Sequence, residues 1–196
     1  MERISRSWEM VKSSWRVLQS DKELALFPVI SAIVSAAGVL ILIGLYFVAS
    51  GSNFDELADK AEEGTSGGWS VVEFVFLFLM YFLTALVVTF FNAALIGAAL
   101  MRLRGGNPTF SDGIAMASSR ARSILGYSAI AATVGVVISL IRSRSSTAGD
   151  VAAGILNVAW GVMTFLVVPV LVAEDIGPLD AVKRSGSLLR QTWGEQ

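Results

Sequence analysis

Five carboxylates crowd one short stretch, Asp55, Glu56, Asp59, Glu62 and Glu63, opposed by a single cation, Lys60. Carboxylates at this density are raw material for a Ca²⁺ site. The D-x-[DN]-x-[DN]-G spacing that aims such ligands at one ion is missing, however, so a solvated acidic face is the simpler expectation. Glu73, Glu174 and Asp175 are the remaining candidates for acid/base work, all near the ends of apolar runs. Glu174 and Asp175 stand close in sequence to Lys183 and Arg184, and ion pairing accounts for them more economically than catalysis. The chain has no His and no Cys. Serine–histidine triads, cysteine–histidine dyads, histidine-bearing zinc sites and disulfides are therefore excluded within it. Gly105-Gly106 does not form a phosphate-binding loop, because the G-x-x-x-x-G-K-[ST] spacing is absent and no strand precedes it. These residues predict a non-enzymatic protein with no cofactor, no metal and no nucleic-acid partner.

What must position any polar group here is a set of long apolar segments. Hydrophobic residues make up 54% of the chain and charged ones 16%, with a mean hydropathy of +0.66, on the membrane side of soluble averages. From Phe74 to Met101 there is no charged residue at all. As a helix rising ~1.5 Å per residue this stretch reaches roughly 40 Å, more than the ~30 Å hydrocarbon core. Similar reasoning predicts four spans, at about 24–49, 71–101, 124–141 and 151–172. The expected fold is all-α, a polytopic transmembrane helical bundle with interfacial amphipathic helices, forming one integral membrane domain over 1–196. Pro28 lies in the first turns of the first span, where a missing N–H costs least. Pro169 lies near the inner end of the fourth, where it is expected to kink or loosen the last turn.

Three segments between or beside the spans read as basic amphipathic helices, at about 3–19, 110–123 and 178–193. In the first, Ile4, Trp8, Val11, Trp15 and Leu18 share one face while Arg3, Arg6, Lys12 and Arg16 lie off it. Trp8 and Trp15 suit the headgroup region, where one side of an indole is wet. Phe110, Ile114, Ala117, Ala121 and Ile124 repeat the stepping, with Arg120 and Arg122 on other faces. Leu179, Val182, Gly186, Leu189 and Trp193 repeat it again, beside Lys183, Arg184 and Arg190. Arg102 and Arg104 close the second span. Counted by segment, Lys and Arg alternate high, low, high, low, high. By the positive-inside rule this places the N-terminus, the middle loop and the C-terminal segment in the cytoplasm, within a plasma membrane. The least secure feature is the pair Arg142 and Arg144 in a short outer loop. Arg3, Arg6, Lys12, Arg16, Arg102, Arg104, Arg120, Arg122, Lys183, Arg184 and Arg190, with Trp8 and Trp15, are the candidate contacts to anionic lipid headgroups.

Two amides lie inside the spans, Asn92 and Asn157. Asn92 is about ten residues, or ~15 Å, from Arg102, near mid-bilayer. An amide there needs a partner, because lipid offers none. Interhelical hydrogen bonding is one reading and a polar point on a substrate path is the other. No Asp, Glu, Lys or Arg lies deep in any span, which weighs against ion-coupled transport. The pattern of basic helix followed by span hairpin recurs, and its third copy is incomplete. That predicts a fragment, or a chain completed by copies of itself or by other membrane proteins. The function expected is organisation of lipid or partner proteins at the membrane; the alternative is a subunit of a small-molecule or lipid transporter.

Ser7-Trp8-Glu-Met-Val-Lys-Ser-Ser-Trp15 followed by Asp21-Lys-Glu-Leu-Ala-Leu-Phe-Pro28 resembles the opening of a prokaryotic family of uncharacterised multi-pass membrane proteins. Val168-Pro-Val-Leu-Val-Ala-Glu174, then Gly177-Pro-Leu-Asp-Ala-Val-Lys-Arg-Ser185, is similar to a second signature of that family. A looser similarity runs to the membrane domain attached to some glycerophosphoryl diester phosphodiesterases. The resemblance implies topology and nothing catalytic. The diesterase chemistry belongs to a separate domain whose metal-binding His residues have no counterpart here.

Overall fold

The computed structural model describes residues 22–51, 70–143 and 147–194. The predicted helix at 3–19, with Arg3, Arg6, Trp8, Lys12, Trp15 and Arg16, lies outside the described residues. So do the acidic stretch with its carboxylate cluster, Trp69 and Arg144.

Among the described residues there are helices and no strands. They are α1 (Lys22–Ser50), α2 (Val71–Leu103), α3 (Phe110–Ser119), α4 (Ala121–Ser143), α5 (Thr147–Thr164), α6 (Val167–Glu174) and α7 (Pro178–Gly194). Four segments are long and apolar enough to cross a membrane: Leu24–Ser50, Val71–Leu103, Ala121–Arg142 and Gly149–Glu174. The chain is thus an all-α, multi-pass membrane protein.

The start of α2 is set locally. Ser70 caps it by accepting a hydrogen bond from the Glu73 backbone N–H at 3.2 Å, and the Glu73 carboxylate accepts one from the Ser70 N–H at 2.8 Å. This reciprocal pair satisfies two of the four donors a helix start leaves open. Thr109 and Asp112 form the same capping box at the start of α3.

α2 is the hub. It packs along α1 on one side and α4 on the other, and α4 carries α5 on its far side. α1 makes no extended contact with α4 or α5 among the described residues. Past the break in the fourth span α6 packs back on α2, so among the described residues α1 and α5 are left as the edges. Close packing is concentrated at one end, where Arg102, Arg104, Arg120 and Arg122 also lie. There Phe27, Ala93, Ala94, Ala98, Ala117 and Ile124 form one buried cluster with Val172. Tyr127, Val167, Val170, Leu171 and Ala181 form a second. Along α5, by contrast, Val151, Ile155, Val158 and Val162 are all exposed, as lipid-facing positions should be.

Two sequence expectations are corrected here. The segment 110–123 is not one helix. It ends at Ser119, the chain turns at Arg120, and α4 begins at Ala121, before the expected start at 124. The reason is packing: Gly113 and Ala117 are buried against the preceding span, while Ile124 belongs to the next one. The fourth span, expected over 151–172 with a kink or loosened last turn at Pro169, is broken earlier, at Phe165–Leu166, into α5 and α6. Pro169 falls in the first turn of α6. It has no N–H to bond the Phe165 carbonyl, and its ring disfavours continuing the helix across that point.

Candidate functional site

The residues with chemistry to offer gather at the basic end, and the helix ends there explain how. Asp112 is the third residue of α3 and Asp180 the third of α7. Each puts a carboxylate among the open N–H groups and the positive pole of a helix start. The hydrogen bonds from the Thr109 backbone and hydroxyl hold the Asp112 carboxyl below its ordinary pKa. Asp175 follows α6 with a left-handed backbone, φ 50°, which ends that helix and turns its carboxylate toward α3 and α4.

The acids then meet the bases. Arg120, at the α3–α4 corner, forms an ion pair with Asp175. Arg184 Nε donates to both carboxylate oxygens of Glu174, at 3.1 and 3.2 Å. Lys183 Nζ stands 3.7 Å from Asp180 one turn earlier. Ser123 adds a hydroxyl hydrogen bond of 3.2 Å to the Ile176 carbonyl, tying α4 to the turn between α6 and α7. Arg102 hydrogen-bonds Asn107 across the turn that leaves α2. Arg104, Arg122 and Arg190 are exposed and make no ion pair with a described residue. The candidate headgroup contacts therefore divide. Arg120 and Arg184 are engaged within the fold, whereas Arg104, Arg122 and Arg190 keep their charge toward the surroundings.

At the opposite end Arg142 Nε lies 3.8 Å from Asp150. That pairing offsets one of the two cations at the junction of α4 and α5 that the charge alternation left unexplained. Asn92 and Asn157 are both exposed and hydrogen-bond no described residue. Any interhelical contact they make is to something beyond this chain's described helices. Among the described residues no group of three or more acidic side chains is placed to hold a metal ion.

The pattern of stripe residues did not single out Ser185. It is completely buried. Its hydroxyl donates to the Met163 carbonyl at 2.7 Å and accepts from the Leu166 N–H at 3.1 Å. It thus bridges the break between α5 and α6 and satisfies two backbone groups that the broken helix leaves open. A signal for it was present. Asp112-Gly113-x-x-x-Ala117 and Asp180-Ala181-x-x-x-Ser185 repeat one pattern, an acid and two small residues. In each helix both small residues are buried.

A family model matches residues 71–196, everything from the start of α2 onward. The chain belongs to that family, described as a family of unknown function (DUF6159). The match covers both docked helices, the broken span and all the ion pairs at the basic end. No curated protein and no solved structure matches the chain. Nothing in these comparisons supports the looser likeness to the glycerophosphoryl diester phosphodiesterase membrane domain.

Proposed function

We propose that this multi-pass membrane protein is a non-enzymatic organiser of anionic lipid at the cytoplasmic face of the plasma membrane. The observation that carries this reading is the division of the cations. Glu174 and Asp175 neutralise Arg184 and Arg120 inside the fold, and so lock the helix ends together. Arg104 and Arg122, on neighbouring helix ends, stay exposed and pair with no described acid. A guanidinium held near the bilayer surface favours phosphate headgroups by about 1 kcal/mol. That corresponds to about fivefold enrichment for each cation. The positive-inside rule supports a cytoplasmic placement for this end and for the N-terminus.

The test uses the full chain in nanodiscs of mixed phosphatidylglycerol and phosphatidylcholine, with the retained lipid counted by native mass spectrometry after transfer to detergent. Phosphatidylglycerol should be enriched, and the variant R104Q/R122Q should lose most of that enrichment at low salt. Equal retention of the two lipids by the unaltered protein would overturn the reading.

A second reading, a transporter subunit, is favoured by one feature. The fourth span is discontinuous, and discontinuous spans line substrate sites in many transporters. Ser185 weighs against it here, because its hydroxyl already occupies the two backbone groups such a site would offer.

A further inference from the structure

α1 and α2 enclose a lateral groove of about 340 Å³ that opens toward lipid. Its walls are apolar at Phe27, Val88, Phe91 and Leu95. The polar groups in it are Ser31, Ser35, Thr84 and Asn92. Ser35 Oγ is shut off from the surface and has no hydrogen-bond partner among the described residues. Asn92 is exposed and hydrogen-bonds no described residue, with two amide donors and a carbonyl acceptor aimed at a region without water. Leaving such a group in hydrocarbon is costly, and neither Ser31, Ser35 nor Thr84 hydrogen-bonds it. Among the described residues α1 also stands at an edge, with its extended contacts to α2 and α3.

We infer that a second copy of this chain covers this groove, in a two-fold dimer whose axis runs along the membrane normal and in which Asn92 hydrogen-bonds its own counterpart.

Three arguments select that occupant. Copies of one membrane protein share an orientation, so such an axis brings every residue to the depth of its own copy. The partner is then guaranteed an amide at the level of Asn92, which an arbitrary helix is not. An amide is also self-complementary: each Asn92 can donate to the carbonyl of the other, closing two hydrogen bonds at once. Finally, the α1 surface beside it is lined by Ser31, Ala32 and Ser35, small enough for two α1 backbones to approach closely. Head-to-tail packing of the α1 edge on the α5 edge fails by depth. Asn92 lies about ten residues from the basic end of its span and Asn157 about seventeen from the end of its own, a mismatch of roughly 10 Å.

The chain has no cysteine, so single-cysteine variants of the full protein report without background. Ala32→Cys places a thiol in the groove, and Val158→Cys places one on the exposed face of α5 as a control. Copper–phenanthroline oxidation in native membranes should give a covalent dimer with A32C and little with V158C. Adding Asn92→Leu should lower the A32C yield about threefold or more, and Asn92→Gln should lower it less. A cross-linked product of other than twice the chain mass overturns the proposal. So does an A32C yield no higher than that of V158C, one indifferent to N92L, or a monomer that purifies with a lipid in the groove. These readouts do not depend on which headgroups the basic end prefers, so the two proposals fail separately.

Discussion

α3 and α7 begin alike. Each has a proline at or just before its start, carries an acid as its third residue, and presents two small residues four apart to the span that precedes it. In α3 these are Gly113 and Ala117; in α7 they are Ala181 and Ser185. The surfaces that receive them differ. α2 is unbroken from Val71 to Leu103, so all its backbone groups at the contact are used within the helix. α3 can only approach it by shedding side chain: a Cβ on Gly113 would lie 2.8 Å from the Ala94 carbonyl oxygen and 2.5 Å from Phe27 Cζ. Phe27 closes the contact by stacking on Phe110, with centroids 4.6 Å apart. The span under α7 is broken, and there the docked helix supplies a hydroxyl. One contact is steric and the other is a hydrogen-bond repair. The same helix plan fits a continuous span and a discontinuous one, with both small residues changed between the two.

The largest effect should come from filling the steric contact. Gly113→Leu should cost about 3 kcal/mol or more, the upper range for overpacking, because one neighbour is backbone and cannot move aside. SDS titration of the purified protein, followed by circular dichroism, measures it. Gly154→Ala is the control. Nothing lies within 4 Å of a Cβ there, so the variant should be neutral or gain up to about 1 kcal/mol of helix propensity. Equal costs at the two glycines would mean that α3 is not seated by close approach.

Ser185→Ala should cost about 1–3 kcal/mol, because it strands a buried N–H at Leu166 and a buried carbonyl at Met163. The matching change in the other helix, Ala117→Ser, adds a hydroxyl opposite a span with no open backbone group. That hydroxyl can bond back to the Gly113 carbonyl one turn away, and the change should not stabilise the protein. If S185A proved harmless, the repair account of α7 would be wrong and both helices would dock by size alone.

Why the spans were legible, and the docking was not, follows from the same comparison. The apolar runs are bounded by charge and polar groups at Glu73, Arg102, Arg142 and Glu174, and burial of backbone in lipid leaves a helix as the only choice. The interior of the bundle is set by Ala93, Ala94, Gly97 and Ala98, and small residues say that something comes close without saying what. Stripe-counting gave Ala117, Ala121 and Ile124 one face, although a turn at Arg120 separates the first from the other two. The ion pairs were half legible. Glu174 and Arg184 are near in sequence, whereas the Arg120 partner, Asp175, is fixed by the left-handed turn after α6.

The smallest difference between the two helices lies at their starts. Asp112 is held by the Thr109 N–H at 2.8 Å and the Thr109 hydroxyl at 2.8 Å. Asp180 follows a glycine at the cap, which has no hydroxyl, and its carboxylate faces Lys183 instead. The folded pKa of Asp112 is lowered, so its contribution is complete above the unfolded value of about 3.9. It fades as the pH falls below that value and through the lower folded one. Carboxyl ¹³C titration of Asp112 should show a midpoint below that of an unfolded aspartate. Thr109→Val should return it toward the ordinary value and weaken the α3 start by about 1 kcal/mol, the usual worth of a cap. A Thr109→Val protein whose Asp112 titrates unchanged would show that the Thr109 backbone N–H, which valine keeps, sets the charge and that the hydroxyl does not distinguish α3 from α7.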